Sequence, residues 1–157
     1  MSFDLMVLDK HKRFTDRILF LEWYNELTQW QENIDYNDYK HATPNLQQWF
    51  LDMKDIVAPL NGEFAPKDDD LGKSRFQEGD YCIAKEAIYV AFAWSDAEKI
   101  LPIVEELAKK HDVAFFDIPK DCINYPDGFV LNLSESQPSS LTLFQKIKRL
   151  FHRWYIL

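Results

Sequence analysis

Short apolar runs of strand-forming residues alternate along this chain with longer stretches whose apolar residues have helical spacing. The strand-like runs lie near residues 3–8, 81–84, 87–94 and 113–118, and the helical stretches near 14–30, 44–57 and 97–110. The runs are rich in the Val, Ile, Tyr and Phe that favour strands. The order β-α-α-β-β-α-β is the ferredoxin-like pattern with one extra helix. It predicts an α+β sandwich in which a mostly antiparallel sheet has its helices on one face.

Helix boundaries and loops follow from local signals. Thr43-Pro44 predicts a helix start, since Thr caps well and Pro has a suitable φ at the first helical position. The run from Ser95 to Glu98 has the pattern of a capping box, and Pro102 predicts a kink in the helix that follows. The segments predicted as loops are 31–42, 61–79 and 119–128, and 129–133 is predicted as a short edge strand.

The chain is long enough for a single domain over residues 1–157 with a core at about 1–133. A C-terminal amphipathic helix is predicted at about 140–155, with four bases and no acid after Ser140. Such a helix fits a membrane surface, a partner or an oligomer interface. We favour the simpler arrangement, in which its apolar stripe packs on the sheet and its bases point toward the acidic body.

Charge and cysteine content restrict the partners and the compartment. The net charge is −8, and residues 1–140 carry 26 acids against 14 bases. A chain of this charge repels nucleic acid and attracts basic partners. Its two cysteines fit a reducing cytosol better than a disulfide scaffold. Neither a signal peptide nor a transmembrane span is evident in the sequence, so the predicted location is the cytoplasm.

Motifs for catalysis, cofactors and metals are missing from the sequence. The four His have no His or Cys at zinc-ligand spacing, and the four Gly form neither a dinucleotide nor a phosphate loop. The triplet Asp68, Asp69 and Asp70 lacks the alternating acids and the Glu of a calcium loop. We therefore predict no catalytic residues, no cofactor and no metal.

An acidic stretch rich in aromatic residues is the strongest functional feature. No Lys or Arg occurs between Arg17 and Lys40, and a second acidic segment covers 63–80. Rings that anchor and carboxylates that steer are typical of protein-binding surfaces. An ordinary acidic surface over an aromatic core explains the pattern equally well. The predicted partner-binding residues are Glu22, Glu26, Trp30, Asp35, Tyr36, Asp38, Asp68, Asp69 and Asp70.

Several segments resemble a group of small uncharacterised bacterial cytoplasmic proteins. They are the N-terminal MSFDL, the FLEWY at 20–24, the LNG at 60–62, the YVAFAWSDAE at 89–98 and the HDVAFFD at 111–117. The resemblance covers roughly residues 1–118 and implies no particular activity. A looser similarity of type links small acidic chains without catalytic residues to immunity proteins of bacterial toxin systems.

These observations predict a non-enzymatic cytoplasmic binding protein, in particular an immunity protein that binds and neutralises a basic bacterial toxin domain. The alternative is an enzyme or small-ligand domain whose site forms only in three dimensions, around Asp117, Trp94 and Cys122. Asp117 stands at a predicted strand end, where active-site acids often lie. Cys82, in contrast, is predicted to be a small core residue.

Overall fold

The computed structural model describes residues 1–67, 70 and 74–134. Its strands are β1 (Ser2–Asp9), β2 (Asp80–Ile83), β3 (Ala87–Ala93), β4 (Val113–Asp117), β5 (Cys122–Asn124) and β6 (Val130–Asn132). Its α-helices are α1 (Arg17–Leu27), α2 (Pro44–Met53) and α3 (Ala97–Lys110). The first four predicted strands and the three predicted helices are therefore present, although α1 and α2 are shorter than predicted.

The six strands form one antiparallel sheet in the order β2-β3-β1-β4-β5-β6. The first four strands have the order and directions of a ferredoxin-like sheet, which confirms the α+β class and the antiparallel sheet. Strand β5 lies in the segment 119–128 that was predicted as a loop, so that prediction was wrong. β5 pairs with the edge strand β6, which was predicted at 129–133, and extends the sheet beyond β4.

The helices lie on both faces of the sheet, which corrects the prediction that they share one. Residues of α2 and α3, such as Trp49 and Val104, pack with Leu5 and Val7 of β1. On the opposite face, Phe20 of α1 packs with Met6 and Leu8. The cause is visible in β1, where the uninterrupted run 5–8 is buried throughout. A strand that is apolar on both sides needs cover on both sides.

One local prediction differs from the structure at α3. The residue before the helix is Asp96 rather than Ser95, because a short 3-10 helix occupies Trp94–Asp96. The Asp96 carboxylate instead accepts a hydrogen bond from the backbone N–H of Gln77 at 3.3 Å. Pro102 lies inside α3, which continues past it to Lys110. The predicted start of α2 is confirmed, with Thr43 before the helix and Pro44 at its first position, but the Thr43 side chain makes no capping hydrogen bond.

The predicted C-terminal helix at about 140–155 lies outside the described residues, as do Asp68 and Asp69. The described part of the chain ends at Ser134, two residues after the end of β6. Across the described ranges, none of the helices has the length and the apolar content needed to cross a membrane.

Candidate functional site

The loop that follows α1 covers the outer edge of β2. The backbone N–H of Ile83 donates to the carbonyl of Tyr36 at 2.9 Å, and the Nε2 of His41 donates to the carbonyl of Ile83 at 2.9 Å. Just after β2, the backbone N–H of Lys85 donates to the carboxylate of Glu32 at 3.1 Å. Covering an edge strand in this way prevents its free backbone groups from pairing with another chain. It also fixes the acidic loop to the rigid sheet.

Hydrogen bonds within this loop involve two of the predicted acidic site residues. One carboxylate oxygen of Asp35 accepts from the backbone N–H of Asn37 at 2.9 Å. One oxygen of Asp38 accepts from the backbone N–H of Lys40 at 3.0 Å. Such short-range contacts stabilise turns. Asp35 and Asp38 therefore have a structural role that their acidity alone did not indicate.

Trp30 has a backbone conformation that is unusual for a large side chain. Its φ is 52°, in the left-handed region, where a non-glycine residue costs of order 1–3 kcal/mol and persists only if its surroundings enforce it. The Trp30 ring lies 5.4 Å from the Tyr36 ring and 6.3 Å from the Tyr89 ring, both edge-on. The structure thus brings together Trp30 and Tyr36, the two predicted anchors, and holds them in place.

A second loop packs against the first. Gly62 has a φ of 89°, and a Cβ there would lie 3.0 Å from the carbonyl oxygen of Asn37, so glycine permits both the conformation and the close approach. Lys40 forms an ion pair with Glu63 at 3.2 Å. The rings of Tyr39 and Phe64 are 5.9 Å apart. We call residues 30–41 and 60–67 together the acidic edge.

The acidic edge presents more carboxylates than bases. Its carboxylates are those of Glu32, Asp35, Asp38 and Glu63, and its lysines are Lys40 and Lys67. One of these lysines, Lys40, is already paired with Glu63, and the pairing raises its pKa. Leu60 adds an apolar side chain that is 53% exposed. The surface therefore combines negative charge with apolar area, as an interface for a basic partner requires.

The remaining predicted partner-binding residues lie outside the acidic edge, and two of them lie outside the described residues. Glu22 and Glu26 are exposed on α1, and neither pairs with a base within the described ranges. Asp70 is exposed in the loop beyond the acidic edge. The acidic stretch between Arg17 and Lys40 thus divides into the outer side of α1 and the first loop of the acidic edge. This division follows the predicted change from helix to loop after residue 30.

The three residues of the alternative site are only partly brought together. Asp117 and Cys122 face each other across the β4–β5 pair, and Lys120 forms an ion pair with the Asp117 carboxylate at 2.9 Å. Trp94 follows β3, two strands away, and is 54% exposed beside the Phe3 ring. A cavity of about 130 Å³ lies near α3, and Val113, Phe115 and Tyr125 are among its lining residues. None of Asp117, Cys122 and Trp94 lines it.

Burial makes both thiols poor nucleophiles. It raises the pKa of Cys82 to about 12, with a smaller contribution from Asp80. It also raises the pKa of Cys122, with Asp117 acting in the same direction. The reactive form of cysteine is the thiolate, so both side chains are protonated and unreactive at neutral pH. Cys82 faces Tyr89 in the sheet and is half-buried.

We expect Cys82 in the native protein to react with a thiol reagent at pH 8 at least about a hundredfold more slowly than a free thiol, whose pKa is about 8.5. A chromogenic disulfide measures the rate in native buffer and again in denaturant, where both thiols become normal. Cys82→Ser and Cys122→Ser variants assign the signal to each position. Rapid modification of Cys82 in the native state would contradict this prediction, and rapid modification of Cys122 would favour the alternative site.

Metal-ligand geometry does not occur in the part of the chain that the structure describes, where no three His, Cys, Asp or Glu side chains cluster suitably. Comparison of the chain with protein-family models, with curated proteins and with solved structures gives no match.

Proposed function

We propose that this chain is a non-enzymatic binding protein of the cytoplasm whose acidic edge engages a basic protein partner. The more specific proposal is an immunity protein that binds and neutralises a basic toxin domain. The supporting observation is a loop fixed to the sheet that displays carboxylates beside two immobilised rings, Trp30 and Tyr36. The rings would anchor the partner, and the carboxylates would steer it.

Rigidity of the acidic edge is the main physical support. Binding normally costs free energy because loops and side chains must be ordered. Here the order exists before binding, since Tyr36 is bonded to β2 and Asp35 and Asp38 hold the turns. The Asp35 side chain is also exposed, so its carboxylate is accessible to a cation. Preorganised negative charge of this kind raises association rates with basic partners.

The experiment needs a defined partner, which is the product of the gene adjacent to the one that encodes this chain. Co-production of the two proteins should relieve any growth arrest that the neighbour causes. We expect Trp30→Ala to weaken binding about thirtyfold, corresponding to about 2 kcal/mol for a central aromatic anchor. Calorimetric titration of the purified pair measures this change in Kd.

A double substitution in the acidic edge tests the steering charges. Asp35→Asn with Asp38→Asn should slow association and reduce its dependence on salt, with little effect on dissociation. The side-chain oxygen of Asn can still accept the hydrogen bonds that hold the two turns. The matched control is Glu98→Gln with Glu106→Gln, because these exposed carboxylates lie on α3 across the sheet. Circular dichroism verifies that every variant is folded. Equal binding by all variants, or no binding by the wild-type chain, would refute the proposal.

The enzyme or small-ligand alternative rests on Asp117 and Cys122. The Asp117 side chain is buried, and it faces Cys122 across the strand pair. One contact and one effect of burial reduce the support for this alternative. Lys120 already neutralises Asp117, and burial keeps Cys122 protonated.

A further inference from the structure

The outer side of α1 combines exposed apolar and acidic residues. Ile18 is 62% exposed and Leu19 is 56% exposed, both in the first turn of the helix. The helix turns Phe20 and Tyr24 toward the sheet, which leaves Ile18 and Leu19 on its outer side. Farther along the helix, Glu22 and Glu26 are exposed. We call Ile18, Leu19, Glu22 and Glu26 the α1 strip.

The described chain ends beside the α1 strip. Leu133 is fully buried in the same cluster as Phe20 and Tyr24. Its carbonyl accepts a hydrogen bond from Nε of Arg17, the first residue of α1, at 2.6 Å. Its backbone N–H donates to the carbonyl of Asp121 at 2.8 Å. The chain therefore passes into residues 135–157 from a fixed point that is bonded to Arg17, the residue before Ile18.

The sequence beyond this point complements the α1 strip. Apolar residues recur with helical spacing, at Leu143, Phe144, Ile147, Leu150, Phe151 and Trp154. All four charged residues after Ser140 are basic: Lys146, Lys148, Arg149 and Arg153. The strip itself has two acids and no base. Residues 135–139 can extend over about 17 Å, roughly the length of an eleven-residue helix such as α1.

We propose that residues 140–155 of this chain dock on the α1 strip. Their apolar side chains cover Ile18 and Leu19, and their bases pair with Glu22 and Glu26. Because the docking is intramolecular, the short connection makes the effective concentration of the segment high. The inference does not depend on the proposed function, since it is tested on the isolated full-length protein without a partner.

Hydrogen exchange of the full-length chain, followed by mass spectrometry, tests this docking. One variant carries Glu22→Lys and Glu26→Lys, a second carries Lys146→Glu, Lys148→Glu and Arg149→Glu, and a third combines the five changes. We expect each of the first two to speed exchange in peptides from 140–155 about tenfold, since a few surface ion pairs are lost. The combined variant should restore slow exchange, because the charges are again opposite.

Two controls accompany these variants. Glu98→Lys with Glu106→Lys should leave the exchange of 140–155 unchanged, and peptides from β1 and β3 report whether each variant is folded. If the α1 variant unfolds, the basic-segment variant alone decides. Unaltered exchange in every folded variant would overturn the proposal. Protection that depends on protein concentration would overturn it in favour of a second copy on the strip. Protection that requires anionic vesicles would overturn it in favour of a lipid surface.

Discussion

Replacing Trp49 with alanine is expected to lower the free energy of unfolding by about 3–5 kcal/mol, the usual cost of deleting a large buried aromatic ring. Trp49 lies on α2, is completely buried and packs in the cluster between the sheet and the helices α2 and α3. Its removal leaves a cavity that the close-packed neighbours can fill only in part. Denaturant unfolding followed by circular dichroism measures the loss.

Trp94→Ala is the matched control for this prediction. It deletes the same side chain from a position that is 54% exposed, where the main contact is an edge-on ring of Phe3 at 6.2 Å. We expect a loss of about 1 kcal/mol or less, as for most surface changes. If the two variants lost equal amounts of unfolding free energy, α2 would not form the centre of the core. Trp94 is also one of the three residues of the alternative site, so the same variant removes a residue of that site.

Phe116→Ala is expected to have a comparable effect, about 3–5 kcal/mol, on the other face of the sheet. Phe116 is completely buried in β4, and its ring lies 4.9 Å from Phe20 and 5.9 Å from Tyr24 of α1. Both contacts are edge-on, a favourable arrangement for aromatic pairs. The variant therefore gains a cavity and loses ring contacts together, and α1 loses its main attachment to the sheet.

The control for this second prediction is Phe64→Ala. Phe64 is half-buried in the acidic edge, so its loss should cost about 1–2 kcal/mol, since only part of its apolar area is removed from water. Hydrogen exchange adds a test of location. Phe116→Ala should increase exchange in α1 more than in α2. An effect confined to α2 would show that α1 does not cover this face.

Much of the fold could be predicted because strand and helix patterns are local. The run 113–118 is apolar apart from Asp117, and β4 occupies all but its last residue. Pro44 marked the start of α2 correctly. The three-residue strand β5 was missed because Cys122–Asn124 is too short to show a period, and its pairing with β4 stabilises it. The face of the sheet that α1 covers was predicted wrongly. The apolar run in β1, which is buried on both sides, already indicated that both faces of the sheet need cover.

The candidate site was predictable in composition but not in arrangement. Trp30 and Tyr36 were selected as aromatic residues near acids, and their rings lie 5.4 Å apart. The structural roles of Asp35 and Asp38 depend on turn geometry that charge patterns do not show. The contact of Gly62 with Asn37 joins two loops far apart in sequence. No short-range pattern encodes such a contact.

Residue type and spacing were sufficient to predict the α+β class, the excess of negative charge and most of the helices and strands. These properties depend on neighbours within a few residues, where backbone preference and apolar periodicity act. Only the tertiary structure placed α1 opposite α2 and α3, joined the loops 30–41 and 60–67 in the acidic edge, and separated Trp94 from Asp117. These arrangements depend on which faces of the sheet are buried and on pairing between distant strands, and both are settled by the packing of the whole chain.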